Sequence, residues 1–384
     1  FGSSHLPARG RPGSCRCGGP VAVVAAASRW APAAGWRQRR RPRPDMAQGC
    51  AAPAADAPRS PEAPAPLPVA TAPPPLFPLV GLLREHLRSE GGAVGAEPQL
   101  PGIRIVDAGA MLLSESEDVW RPLLHRGLCS SVVGFEPNAE ECARLNSAPA
   151  GPSAGGGPAL SMRFLPWALG DGSRGQFRLC SAPMTSSMLE PNASLLRRFV
   201  QLGEVTAVVE RSEMQTRRLD DLLPELPGGG IDYLKLDVQG YELAVLKGAE
   251  RALRDVLIVH TEVEFVEMYE KQPLFAEVDQ YLRGAGFIFH RFTPLQGRPM
   301  KPIFLQSSPL TPISQQLWAD AVYVRDLWEL KSLTRQQLLQ TALILHEVYH
   351  SYDVVHHVLE RYDAGLAKRY LDNILAAGQA SPAA

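Results

Sequence analysis

Beyond residue 100, short apolar runs alternate with stretches in which apolar residues recur every three or four positions. The runs at 103–108, 132–136, 162–166, 231–238, 256–262, 287–292 and 319–325 predict strands. The intervening periodic segments at 115–126, 138–146, 242–253 and 275–285 predict helices. Residues 176–180 and 205–218 add strands or a hairpin, and 79–90 a short leading helix. Strands that alternate with helices imply an α/β fold, a parallel sheet wound on both faces. Past the last strand, Leu338, Ala342, Leu345, Tyr349, Tyr352, Val355 and Leu359 form one stripe of a long helix over 334–362. Thr334 and Gln337 have the spacing of a capping box at its start. The stripe must pack on something, and the sheet and a second subunit are equally open.

Composition divides the chain. Residues 1–75 are rich in Ala, Pro, Gly and Arg without periodicity and are expected to be disordered. The chain opens on Phe1, so Met46 is a plausible start. Nine Arg with no acid in the first 44 residues also fit an organelle transit peptide. The resulting division is a tail over 1–75, a catalytic domain over 76–330 and a helical extension over 331–384. The cytoplasm is the expected compartment, or an organelle if the tail is a targeting signal. Past residue 44 the chain carries 30 basic and 40 acidic residues, which argues against a nucleic-acid groove. No apolar run is long enough to span a membrane. Of the six cysteines, Cys15, Cys17 and Cys50 lie in the tail and the other three are singletons without paired spacing, so neither a disulfide framework nor a zinc knuckle is expected.

The chemistry concentrates at strand ends. Ile231-Asp-Tyr-Leu-Lys-Leu-Asp-Val-Gln-Gly240 is a buried strand that ends in Asp237, with a tight turn at Gly240 and an amphipathic helix beyond. Glu136 sits at the tip of another apolar strand, in Val133-Gly-Phe-Glu-Pro137. Open α/β sheets bind ligands at such tips. Asp237 also fits a helix cap, and Glu136 a carboxylate near a helix dipole.

These segments, together with Thr261-Glu-Val-Glu-Phe-Val266, Gln272-Pro-Leu-Phe-Ala-Glu-Val-Asp279 and Trp318-Ala-Asp-Ala-Val-Tyr-Val-Arg-Asp326, resemble the FkbM family of S-adenosylmethionine-dependent methyltransferases in order over about residues 100–330. The resemblance implies a doubly wound, mostly parallel, Rossmann-like sheet of seven strands with one antiparallel strand near its end. It implies S-adenosylmethionine as cofactor, no metal, and a small-molecule or glycan hydroxyl as acceptor. Asp107 and Gly109 would open the glycine turn at the amino-acid end of the cofactor, and Glu136, with Pro137 beside it, would bind the ribose. Ala168 and Leu169 would wall the adenine, and Asp237 would border the methyl group. The family has a further Gly soon after Asp-x-Gly-Ala, where this chain has Met111-Leu112-Leu113. If those residues fill the site, the chain is a methyltransferase-like interaction protein without activity, associating through its C-terminal helix.

Deprotonating a hydroxyl calls for a base. Asp237 is first by position and Glu262, or Glu264, second. Gln239 and Glu242 are candidates to orient substrate, Ser186 and Ser187 to touch cofactor or substrate, and His260 is more simply a satisfied strand histidine. His346-Glu-Val-Tyr-His350 matches the helical zinc-peptidase pattern. Asp353 stands where metzincins have Gly, and no late glutamate ligand follows, so a peptidase is the weakest of the three readings.

Overall fold

A computed structural model describes residues 77–90, 98–111, 118–147 and 160–379. The expectations for the 1–75 tail, for Met46 and for Leu112 and Leu113 fall outside these residues. The elements run α1 (Leu79–Ser89), β1 (Ile103–Ala108), α2 (Arg121–His125), β2 (Cys129–Phe135), α3 (Ala139–Ser147), β3 (Ser161–Leu165) and β4 (Arg174–Cys180). There follow α4 (Ala193–Leu196), α5 (Leu202–Val205), β5 (Val208–Gln215), α6 (Leu219–Leu222), β6 (Tyr233–Leu236), α7 (Glu242–Lys247), β7 (Ile258–Glu264) and α8 (Phe275–Gly284). The chain closes with β8 (Phe287–Gln296), β9 (Trp318–Arg325), α9 (Arg335–Glu347), α10 (Tyr352–Tyr362) and α11 (Ala364–Gln379).

Seven strands form one sheet in the order β3-β2-β1-β6-β7-β9-β8, and β9 runs antiparallel to both of its neighbours. The remaining pairs are parallel. The order reverses between β1 and β6, so the strand ends there open onto a crevice. Both faces are covered. Ile103, Ile105, Tyr233, Ile258 and Val324 pack under α1, α2, α9, α10 and α11, and Val106, Leu234, Leu236, Val259 and Tyr323 pack under α6, α7 and α8. That two-sided burial is why the central strands read as apolar runs. Between β3 and β6 the chain inserts an antiparallel pair, β4 with β5. Short helices beside it bury Leu196, Phe199 and Leu202 against Met268, Tyr269 and Leu317.

The helix expected over 334–362 is two helices. The Thr334 capping box is present, with Thr334 Oγ1 accepting from Gln337 N at 3.2 Å and Gln337 Oε1 from Thr334 N at 3.0 Å. The helix then stops, because His350 takes a left-handed conformation at φ 52°. Side chains of β8 hold the break: Arg291 donates to the Tyr349 carbonyl, and His290 pairs with Ser351 Oγ at 2.8 Å. No Gly or Pro marks the place, so a sheet contact outweighs local periodicity. The apolar stripe covers the sheet, α9 being buried from Leu338 to Glu347. Among the described residues no helix is long and apolar enough to cross a membrane.

One ion pair ties the crevice strands together at their far end. Asp232, 1% exposed, accepts from Arg104 N, Nε and Nη2 at 2.8, 3.0 and 2.7 Å. Asp232→Ala strands the guanidinium and a strand amide and should cost about 3 kcal/mol. Urea unfolding measures that loss; a change below about 1 kcal/mol would refute the assignment.

Candidate active site

A cavity of about 380 Å³ lies over the carboxyl ends of β1, β2, β6 and β7, within the range of about 300–1,000 Å³ usual for small-molecule sites. One half is walled by the sheet tips and the turn after β3: Gly109, Phe135, Glu136, Pro137, Trp167, Ala168, Leu169 and Asp237. The other half is built by the insertion and by segments flanking β7 to β9. It carries Phe177, Met184, Met188, Met268, Tyr269, Glu262, Glu264, Arg298 and Trp318.

Gly109 is required where it stands. Its φ is +79°, and a Cβ there would lie 1.8 Å from the Asp237 carbonyl oxygen, an approach only glycine allows. Asp107, two residues earlier on β1, does not line the cavity. It is 1% exposed, accepting from Trp120 Nε1 at 2.9 Å and Lys235 Nζ at 3.0 Å. The direct cofactor contact expected of Asp107 is therefore replaced by a positioning role, holding the glycine turn to β6. Burial works against the Lys235 charge, but Asp107, Asp237 and Asp118 outweigh it and hold the ammonium above its usual range. Burial also lifts Asp118 to about 7, with the Asp107 charge adding to the effect.

Glu136 is 5% exposed and lines the cavity. Its Oε1 accepts from Asn138 N at 2.7 Å at the start of α3, so the helix-terminus role and cavity placement coexist. Burial pushes its carboxyl up to about 7 against that hydrogen bond. A carboxylate so short of donors is matched by a ligand bearing hydroxyls. Arg217 stacks 3.8 Å over Trp167, fixing the ring beside Ala168 and Leu169.

Asp237 keeps 40% of its side-chain surface accessible through the cavity mouth, though protein crowds it elsewhere. It does not cap α7. The turn before the helix is held by Glu242, 2% exposed, whose Oε1 accepts from Val238 N and Gly240 N at 2.9 and 3.3 Å. Glu242 is thus a turn brace rather than the substrate contact expected. Gln239 is likewise turned to protein groups: Nε2 donates to Asp237 Oδ1 at 3.0 Å and to Glu262 Oε2 at 2.7 Å, and Oε1 accepts from Tyr269 OH at 2.9 Å. It does so at φ 56°, the kind of backbone strain that collects at functional sites. Ser187 Oγ donates to the Gln239 carbonyl and accepts from Leu189 N, tying the 184–188 loop down, and Ser186 Oγ accepts from Cys180 N. Both serines line the cavity while serving the loop.

Glu262 and Glu264 follow His260 on one face of β7, with Asp320 opposite Glu262. Burial, then the charge on Asp237 and on other neighbouring carboxylates, raises the Glu262 carboxyl well above its usual range; burial does the same to Glu264, with Glu242 as its leading charged neighbour. Such a group titrates as a unit. His260 does not reach the cavity lining. Its Nδ1 pairs with Tyr349 OH at 3.0 Å, Tyr349 with Tyr233 OH at 2.8 Å, and Nε2 lies 3.7 Å from Asp320, the satisfied strand histidine of the simpler reading.

The zinc-peptidase geometry does not form. His346 lies fully buried in α9 between Tyr370 OH and the Phe77 carbonyl, at 3.0 and 2.9 Å, Glu347 pairs with Arg126, and His350 falls past the helix end. On the separate α10, His357 Nε2 meets the Leu327 carbonyl at 3.1 Å. Among the described residues the trio close enough to share a cation is His86, Glu90 and Asp363, away from this motif. Arg369 donates to His86 Nδ1, which leaves Nε2 as the protonated nitrogen and not a ligand.

Lys235 was open to detection as the one basic residue inside the apolar run over 231–238. Tyr269, Arg298 and Trp318 carried no local signal, because only tertiary folding brings them to the cavity.

The sequence model of the methyltransferase FkbM domain matches residues 107–289. A 2-O-methyltransferase, NoeI, of Sinorhizobium fredii (strain NBRC 101917 / NGR234) is 36% identical over 93 residues, 21% of this chain and 38% of that protein. The chain thus spans well under half the length of that curated relative. Magnesium protoporphyrin IX methyltransferase from Synechocystis PCC 6803, solved with bound SAM, overlaps 64% of this chain and 78% of its own at 14% identity and a TM-score of 0.30. A SAM-dependent methyltransferase from Methanosarcina mazei overlaps 58% and 92% at 10% identity and a TM-score of 0.25. Over residues 107–289, just under half of its length, the chain is thus similar to the methyltransferase FkbM domain.

Proposed function

We propose that this protein is an S-adenosylmethionine-dependent methyltransferase that acts on a hydroxyl of a sugar or secondary metabolite. The observation that carries the reading is a single cavity joining the Gly109–Glu136 wall to a floor where Gln239 clamps Asp237 and Glu262. The match to the FkbM domain supports methyl transfer, and the activity named for the Sinorhizobium relative supports oxygen as the acceptor atom.

The residues fit the cofactor. Glu136 lacks donors that a ribose diol supplies, Trp167, Ala168 and Leu169 offer an apolar wall for adenine, and Gly109 keeps its turn clear of Asp237. When bound, the cofactor supplies a methyl group on a sulfonium, whose leaving group is neutral. The protein's work is then alignment and proton removal. Glu262 accepts the hydroxyl proton at Oε1 or Oε2, and Gln239 keeps its carboxylate next to Asp237 in spite of their repulsion. Asp237, held near Lys235, orients the acceptor oxygen. Phe177, Met184, Met188 and Met268 line the acceptor half with adaptable apolar surface. Release of S-adenosylhomocysteine across a panel of sugar and polyketide alcohols tests the reading: turnover with at least one alcohol supports it, and a folded protein that binds cofactor yet methylates only amines or thiols refutes the oxygen assignment.

A further inference from the structure

The segment between β8 and β9 departs from the rest of the surface. From Gln280 to Ala319 the chain has no Asp or Glu, although 40 acids are spread over the whole. Within it, Ile303, Phe304 and Leu305 stand 67%, 50% and 48% exposed in succession. They link two turns, closed by Ile303 N to the Met300 carbonyl and Ser308 N to the Leu305 carbonyl. Met300, Leu295 and Ile313 are exposed around them. A run of large exposed apolar side chains marks a contact surface.

Charge identifies the partner. Lys301 N bonds the Arg198 carbonyl and Val200 N the Pro299 carbonyl, which sets Arg197 and Arg198 beside the apolar turns. Both arginines are exposed, and neither has an acidic partner among the described residues; Lys301 is paired with Glu204. An apolar tip flanked by two arginines without acidic partners is complementary to an anionic bilayer, with its charged headgroups over an apolar layer. Pro299, Pro302, Pro309 and Pro312 interrupt the segment, which disfavours strand addition by another protein. Gln296 and Arg298, at its base, line the acceptor half of the cavity.

We propose that this face docks on anionic phospholipid membranes, with Ile303, Phe304 and Leu305 entering the headgroup–acyl boundary and Arg197 and Arg198 meeting the phosphates. Docking of this kind turns the acceptor half of the cavity toward the bilayer and favours amphiphilic alcohols over freely soluble ones. Membrane binding itself is independent of methyl transfer, so it stands or falls apart from the preceding reading.

Flotation of the full chain with phosphatidylcholine vesicles, and with vesicles that also contain phosphatidylserine, tests the surface. The Arg-rich segment over residues 1–44 adds the same attraction to every variant, so the comparison is between variants. Ile303→Asp with Phe304→Asp should weaken binding to the anionic vesicles about tenfold or more, and Arg197→Glu with Arg198→Glu should do likewise, with thermal unfolding unchanged. Phe304→Trp should gain emission, over the wild-type background, that brominated acyl chains quench. Equal flotation of wild type and both double variants, or no quenching, overturns the proposal. So does self-association of the wild type that the aspartates abolish while flotation stays the same, since the face would then join two copies of the chain.

Discussion

Gly109→Ala is expected to abolish measurable binding of S-adenosylhomocysteine. The methyl group would sit 1.8 Å from the Asp237 carbonyl oxygen and 2.8 Å from its carbon, both main-chain atoms at the end of β6. Neither can rotate away as a side chain can. Alanine at φ +79° adds strain of about 1 kcal/mol. Relief requires the β1 turn to lift from β6, and that turn forms one wall of the cavity. A loss of at least about 3 kcal/mol in binding, more than a hundredfold, follows. Calorimetry reads the affinity and thermal unfolding confirms that the sheet persists. Binding within about threefold of wild type would mean that the turn does not shape the site.

Glu262→Gln is expected to lower kcat by about 10²–10⁴ while KM changes little, the range for loss of a positioned base. The glutamine can still accept from Gln239 Nε2, so the clamp survives and proton acceptance is lost. The pH dependence follows from the sign of the shift. Burial and the charges on Asp237, Glu264 and Glu242 hold the Glu262 carboxyl protonated above the ordinary carboxylate range. The wild-type rate should therefore climb with pH well past the usual glutamate value, and the variant should lose that limb. Stability moves the other way. A carboxyl whose folded pKa is raised contributes stability below its unfolded pKa and loses it as pH rises through the folded value. Glu262→Gln should thus be more stable than wild type at alkaline pH, a trade familiar at strained sites. An unchanged kcat with an unchanged pH profile would move the base to Glu264 or Asp237.

The legible parts of this protein were those in which a local rule and the tertiary structure agree. Glu136 and Asp237 stood out because a carboxylate at the end of an apolar run has one plausible place in an open sheet. The antiparallel β9 came from the family resemblance and not from its own alternation. Asp107 misled because its position near the end of β1 is that of a ligand residue, while Trp120 and Lys235 claim its oxygens. Glu242 misled in the same way, since a polar residue at a turn can face either the cavity or the backbone, whereas Gln239 lines the cavity but spends its amide on Asp237, Glu262 and Tyr269. The break at His350 was invisible to periodicity, because the contacts that hold it come from β8, some 60 residues earlier in the chain. The acceptor half was hidden for a related reason: it is assembled from the hairpin insertion, the end of β7 with the segment after it, and the two ends of the β8–β9 connection.

Titration calorimetry with S-adenosylhomocysteine, on wild type and Glu136→Ala near pH 6 and near pH 8, addresses the core of the account most directly. Hydroxyl donors favour the ionised carboxylate, so a bound ribose should draw a proton off Glu136, whose folded value lies at about 7. Wild-type affinity should accordingly rise between the two pH values, while the variant should bind at least about 30-fold more weakly and lose that dependence. A folded wild type that takes up no ligand, or a variant that matches it in affinity and pH response, would contradict the account.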